Sequence, residues 1–171
     1  MKTRIPIEIV VGVLAAISCL VTLPGLGLPV WALFIGWAWY FSLGATPSVF
    51  KVCYPPVFTG ALLAALCLWL INVLANIGMG GMPGTMFSVG LTVFLLMMTL
   101  KIPLTSASLP AFNAYSSVFA LMYIGGFPDL PIGPILSCTL WAMIGNFLGP
   151  IFGYFSIKLT FPVADDIEAN E

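Results

Sequence analysis

Apolar residues along this chain fall into six long runs, separated by short breaks rich in proline and glycine. A helix that crosses the hydrocarbon core of a bilayer needs about 20 mostly apolar residues, and the runs approach or exceed that length. They predict six helical spans. The first covers about Ile7–Leu23 and stops at Pro24-Gly25. The second covers about Leu28–Gly44 and is short enough to begin with an irregular or re-entrant stretch at Pro29. The third runs about Pro55–Asn76, up to the glycine-rich "IGMGGMPG". The fourth is about Thr85–Leu100, the fifth about Ser106–Gly125, and the sixth about Pro131–Leu159 with Pro150 inside it. Pro150 removes a backbone hydrogen bond and is expected to kink the sixth span.

Two of these runs echo each other. "LPVWALFIGWAWYFSLGATP" (28–47) and "LPAFNAYSSVFALMYIGGFP" (109–128) both open on Leu-Pro, carry an aromatic two residues after the proline, and close on glycine and then proline. A displacement of 81 residues lays Leu28-Pro29 on Leu109-Pro110, Gly44 on Gly125 and Pro47 on Pro128. Three spans per half is an odd number, so the second half enters the membrane from the opposite side. The expected fold is an all-α membrane protein with six transmembrane helices as a 3+3 inverted-topology repeat. Residues 1–78 form the first repeat, 79–84 a glycine-rich join, 85–159 the second repeat and 160–171 an acidic cytoplasmic tail. Inverted repeats place binding sites near the midplane at the repeat interface. The bland alternative is a duplication that only makes a stable bundle.

Composition settles the class. The chain is 61% apolar and 6% charged, whereas a soluble domain carries about 25% charged residues. The few charges also orient it. Lys2 and Arg4 precede the first span, Lys51 lies between the second and third, Lys101 between the fourth and fifth, and Lys158 ends the sixth. The other three connections hold no lysine or arginine, and their only charge is Asp129. Basic residues mark the cytoplasmic side, so both termini are expected in the cytoplasm. The start "MKTRIPIEIVVGVLAAISC" has the basic tip, apolar stretch and small residues of a secretory signal. Glu8, at the head of its apolar region, and the membrane-like chain downstream favour a retained first span.

Small residues recur at helical spacing. Gly145, Gly149 and Gly153 form one stripe in "GNFLGPIFG", with Gly60 and Ala64 in the third span and Gly12 and Ala16 in the first. Such stripes let backbones approach closely in lipid. They serve contacts within one chain or a homo-oligomer, and spacing alone does not choose.

The chain holds no histidine, no carboxylate deep in a span, and no Ser or Cys with a base beside it. The expectation is no enzyme, no catalytic residue and no cofactor. Cys19, Cys53, Cys67 and Cys138 make no CxxC pair, so no metal site is expected. Proton coupling through intramembrane acids is equally disfavoured. What remains is neutral polarity and aromatics. Asn113, Tyr115, Ser116 and Ser117 cluster in the fifth span, and their repeat mates hold Trp31, Trp37, Trp39, Tyr40 and Ser42. Asn72, Asn76 and Asn146 add amides elsewhere. Asn113, Tyr115, Ser116, Ser117, Trp31, Trp37, Tyr40 and Ser42 are the expected lining of a path for an uncharged solute. The competing reading makes them interfacial belts and interhelical hydrogen bonds.

The segment "LPVWALFIGWAWYFSLGATPSVFKVCYPPVFTGALLAALCLW" (28–69) resembles the YcdZ-type family of small bacterial inner-membrane proteins, a domain of unknown function. That resemblance implies an inner-membrane location and a multi-pass topology, and no substrate. At the level of inverted repeats and Leu-Pro openings beside aromatics, the chain is also similar to urea-transporter halves, as an analogy of fold alone. The reading is a channel or facilitator for a small neutral or weakly ionised solute of about urea size, with lipid and solute as partners and no nucleic acid. The alternative is a non-transporting accessory or scaffold subunit.

Overall fold

The computed structural model describes residues 5–23 and 26–160. The basic tip Lys2 and Arg4, the Pro24-Gly25 stop and the acidic tail after Thr160 lie outside the described residues. Those described form an all-helical bundle. Helix α1 is Ile7–Ser18, drawn out by a 3₁₀ turn over Cys19–Thr22. Helix α2 is Val30–Ser42, α3 Val49–Asn76 and α4 Met82–Thr99. A 3₁₀ turn at Pro103–Thr105 leads into α5, Ser108–Ile124, and α6 is Pro134–Thr160.

Three helices, α3, α4 and α6, are long and apolar enough to cross a membrane. Helix α2 has 13 residues, about 20 Å at 1.5 Å per residue, against a hydrocarbon core of about 30 Å. Its entry is non-helical: Pro29 is extended at the N-cap, and the Leu28 N–H donates to the Val21 carbonyl at 3.0 Å. Buried Leu28 and Pro29 keep this stretch inside the protein.

Helix α3 starts six residues before the expected Pro55, at Val49, and runs through Pro55 and Pro56. Proline removes a backbone donor, which argues for a start at Pro55. Packing overrides it, because the first two turns bury Val49 and Cys53 beside Trp39 and Tyr40 of α2. Helix α4 likewise starts early, at Met82, where Pro83 fits the first turn and Gly81 takes φ +72° at the N-cap. Helix α6 continues through Pro150.

Glycine sets how the helices pair. Along α6, a Cβ at Gly145 would meet Pro29 and Ala32, one at Gly149 would meet the backbone of Leu33, Gly36 and Trp37, and one at Gly153 would meet Tyr40. The contact advances along both helices together, so α2 and α6 run parallel. On the other side Gly60 of α3 faces the Ala111 backbone of α5, again at the seam of a closely packed pair. Gly12 meets nothing within 4 Å and the stripe on α1 faces outward.

Helices α3 and α6 run antiparallel through the middle. The Tyr54 hydroxyl donates to the Phe147 carbonyl at 3.0 Å, and Phe50 lies 6.0 Å from Tyr154. This brings Lys51, before α3's third turn, to the same end of the molecule as Lys158, which sits 5.7 Å over the Tyr154 ring. At the far end Gly27 touches Pro128, so the α1–α2 and α5–α6 connections meet there.

Candidate functional site

A buried polar junction lies where α2, α5 and α6 converge. Asn146 of α6 is 0% exposed. Ser117 of α5 donates to its Oδ1 at 3.4 Å. Four residues on, Pro150 has no N–H to offer the Asn146 carbonyl. Gly36 of α2 closes on that carbonyl from the other side, where any Cβ would collide with it. The proline, the glycine and the asparagine therefore act together: one frees a carbonyl, one lets α2 cover it, and the third carries an amide into the junction.

That amide is only half used, because the Nδ2 of Asn146 has no hydrogen-bond partner among the described residues. The same holds for the indole N–H groups of Trp37 and Trp39. An orphaned buried donor costs about 1–3 kcal/mol, and in lipid no water reaches it from outside. Elsewhere the bundle satisfies such groups. The Trp141 indole donates to the Pro128 carbonyl at 2.8 Å, and the Tyr115 and Thr92 hydroxyls pair at 2.8 Å.

The eight residues expected to line a path do not form one surface. Tyr115 and Ser117 are buried on α5, and Trp37 and Tyr40 are buried on α2 against α6. Trp31 and Asn113 are half-buried, Trp31 against the α3–α5–α6 cluster. Ser116 and Ser42 are exposed, and Ser42 donates to the Ala38 carbonyl one turn back. Two residues outside that set, Asn146 and Trp39, are buried with unpaired side-chain donors. Sequence shows them only as one more amide and one more tryptophan. The available signal is Asn146 lying between Gly145 and Gly149 in the glycine stripe of the sixth span.

A separate groove of about 620 Å³ opens between α3 and the start of α6. It is lined by Leu62, Leu66, Trp69, Asn72, Ile132 and Leu136 among others, and none of the eight borders it.

A family described as "Protein of unknown function (DUF1097)" matches residues 8–161. The chain belongs to the DUF1097 family. The match takes in the six helices, but for Ile7 at the start of α1, and the whole polar junction, so both are part of the DUF1097 unit. No curated protein and no solved structure matches the chain.

Proposed function

We propose that this protein is a facilitator for a small, neutral or weakly ionised solute, seated in the bacterial inner membrane as a six-span bundle with both termini cytoplasmic. The observation that carries the reading is the Asn146 amide, fully buried at the helix junction with its Nδ2 unpaired. Polar groups inside a membrane bundle mark solute pathways, and a neutral amide suits a neutral solute.

The arrangement of the ends supports six crossings. Lys51 and Lys158 share one end, and the connections bearing no basic residue share the other. Thin α2 is compatible with a crossing because non-helical backbone at membrane depth is tolerated where protein buries it. The 3+3 repeat is supported by the pairing of helices. An 81-residue shift turns α2 into α5 and α3 into α6, and the two most extensive pairings in the bundle, α2 with α6 and α3 with α5, exchange under it. The inner-membrane location rests on the YcdZ-type resemblance of residues 28–69, and the urea-like size on the analogy to urea-transporter halves. The absence of histidine underlies the further proposal that no enzyme chemistry is carried.

The accessory-subunit reading has one observation of its own, the apolar groove beside exposed Trp69 and Leu136, which suits a partner helix. Proteoliposomes separate the two. Stopped-flow shrinkage with urea, acetamide and glycerol is expected to relax faster than in protein-free vesicles for at least one solute, and Asn146→Leu is expected to slow it. Relaxation equal to that of empty vesicles for every solute overturns the facilitator and leaves the accessory reading.

A further inference from the structure

We propose that Asn146, together with Trp39, recognises the oxygen acceptor of a small neutral carbonyl compound, such as an amide, a urea or a ketone. The site is the one argued above to lie on the solute path, and the inference adds what that site selects.

Every unpartnered buried side-chain atom among the described residues is a donor: the Nδ2 of Asn146 and the indole nitrogens of Trp37 and Trp39. The acceptors named at the junction are each bonded or covered. Asn146 Oδ1 takes the Ser117 hydroxyl, and the Phe147 carbonyl takes the Tyr54 hydroxyl. The Asn146 carbonyl is covered by Gly36. A ligand arriving here meets unpaired N–H groups, while these oxygens already carry a bond or lie against backbone. Each of these donors lacks a partner among the described residues, so an incoming oxygen gains a hydrogen bond without displacing a protein acceptor. A cation would have to share oxygens that are already bonded or covered. An anion finds no countercharge among the described residues, because Lys51, Lys101 and Lys158 are all exposed, and an uncompensated charge is expensive at such a place. A neutral acceptor is what remains.

Asn146 and Trp39 border the same junction. Trp39, 1% exposed, belongs to one apolar cluster with Ala114 of α5, and Phe147 packs on that cluster. Ala114 lies one turn before Ser117, and Phe147 follows Asn146 directly. Trp37 is excluded. It sits two residues from Trp39, on the far side of α2, with its ring 5.5 Å from that of Phe152. The glycine seam brings α2 into backbone contact with α6 beside Asn146, so a bulky ligand would have to part the helices.

The test is titration of the full ¹⁵N-labelled chain in nanodiscs, read at the indole and amide side-chain N–H resonances and assigned with Trp37→Phe and Trp39→Phe. Urea supplies both donors and an acceptor, acetone only an acceptor, and guanidinium only donors in the same planar shape. Urea and acetone are expected to move the Trp39 indole and Asn146 amide signals saturably, leaving Trp37 in place, while guanidinium leaves all three unmoved. Asn146→Leu should weaken binding about five- to tenfold, the worth of one hydrogen bond. Trp39→Phe keeps an aromatic side chain and removes the indole N–H, and should weaken it similarly if the leucine variant does not fold. Non-saturating drift, an equal response to guanidinium, or a Trp37 shift matching that of Trp39 overturns the proposal. Saturable binding with no flux in proteoliposomes would fail the facilitator and keep the site. Flux unchanged by acceptor content, with no saturable shift, would do the reverse.

Discussion

Asn113 and Asn146 are both amides on helices of the bundle, yet they stand in different surroundings. Asn113 is half-buried in the second turn of α5, whereas Asn146 is enclosed between α2 and α5. Asn113→Leu is expected to change thermal stability in detergent by less than about 0.5 kcal/mol, as for a site without special contacts, and to lower solute flux. Unchanged flux would remove Asn113 from the path. The Tyr115–Thr92 pair offers a sharper measurement, since both groups are buried and their 2.8 Å bond joins α5 to α4. Tyr115→Phe, Thr92→Val and the double variant form a cycle. The coupling is expected near 0.6 kcal/mol and below about 1.7, the range for hydrogen bonds in membrane bundles. A coupling of zero would mean that the hydroxyls bond elsewhere in the bilayer.

At the scale of the helix, the α2–α6 seam is the element on which the site depends. Gly149 faces backbone atoms of Leu33, Gly36 and Trp37, and backbone cannot rotate aside. Gly149→Ala is expected to cost about 2–3 kcal/mol by overpacking and to displace α2, with loss of folded yield in mild detergent. Gly12→Ala on α1 is the control. Its Cβ meets nothing within 4 Å, and alanine is the better helix former by about 1 kcal/mol, so stability should hold or rise slightly. Equal losses at both positions would mean that glycine content, and not the seam, governs folding.

The whole molecule has a polarity that can be tested without a substrate. Lys51 and Lys158 lie together at one end, and the α1–α2 and α5–α6 connections lie together at the other. Reporter fusions after Gly80, in the α3–α4 connection, and after the C-terminus are expected on opposite faces of the membrane, the latter in the cytoplasm. Both on the same face would remove the six-span topology and the inverted repeat together.

The sequence by itself determined the class of the protein and the number of its helices. In lipid only helices and closed barrels satisfy the backbone, and long continuous apolar runs, without a barrel strand's alternation, select helices. It also marked most breaks, because proline and glycine act locally. The start of α3 escaped it, since burial of Val49 and Cys53 against α2 outweighed two prolines. The stripe Gly145, Gly149, Gly153 was visible as spacing, but only the tertiary structure decided that it faces α2 and that the similar stripe on α1 faces outward. The polar junction was the least legible part. Asn146 and Trp39 matter because their neighbours leave their donors unpaired. Whether a group finds a partner depends on residues brought together from α2, α5 and α6, over 100 positions apart along the chain, and no local pattern carries that.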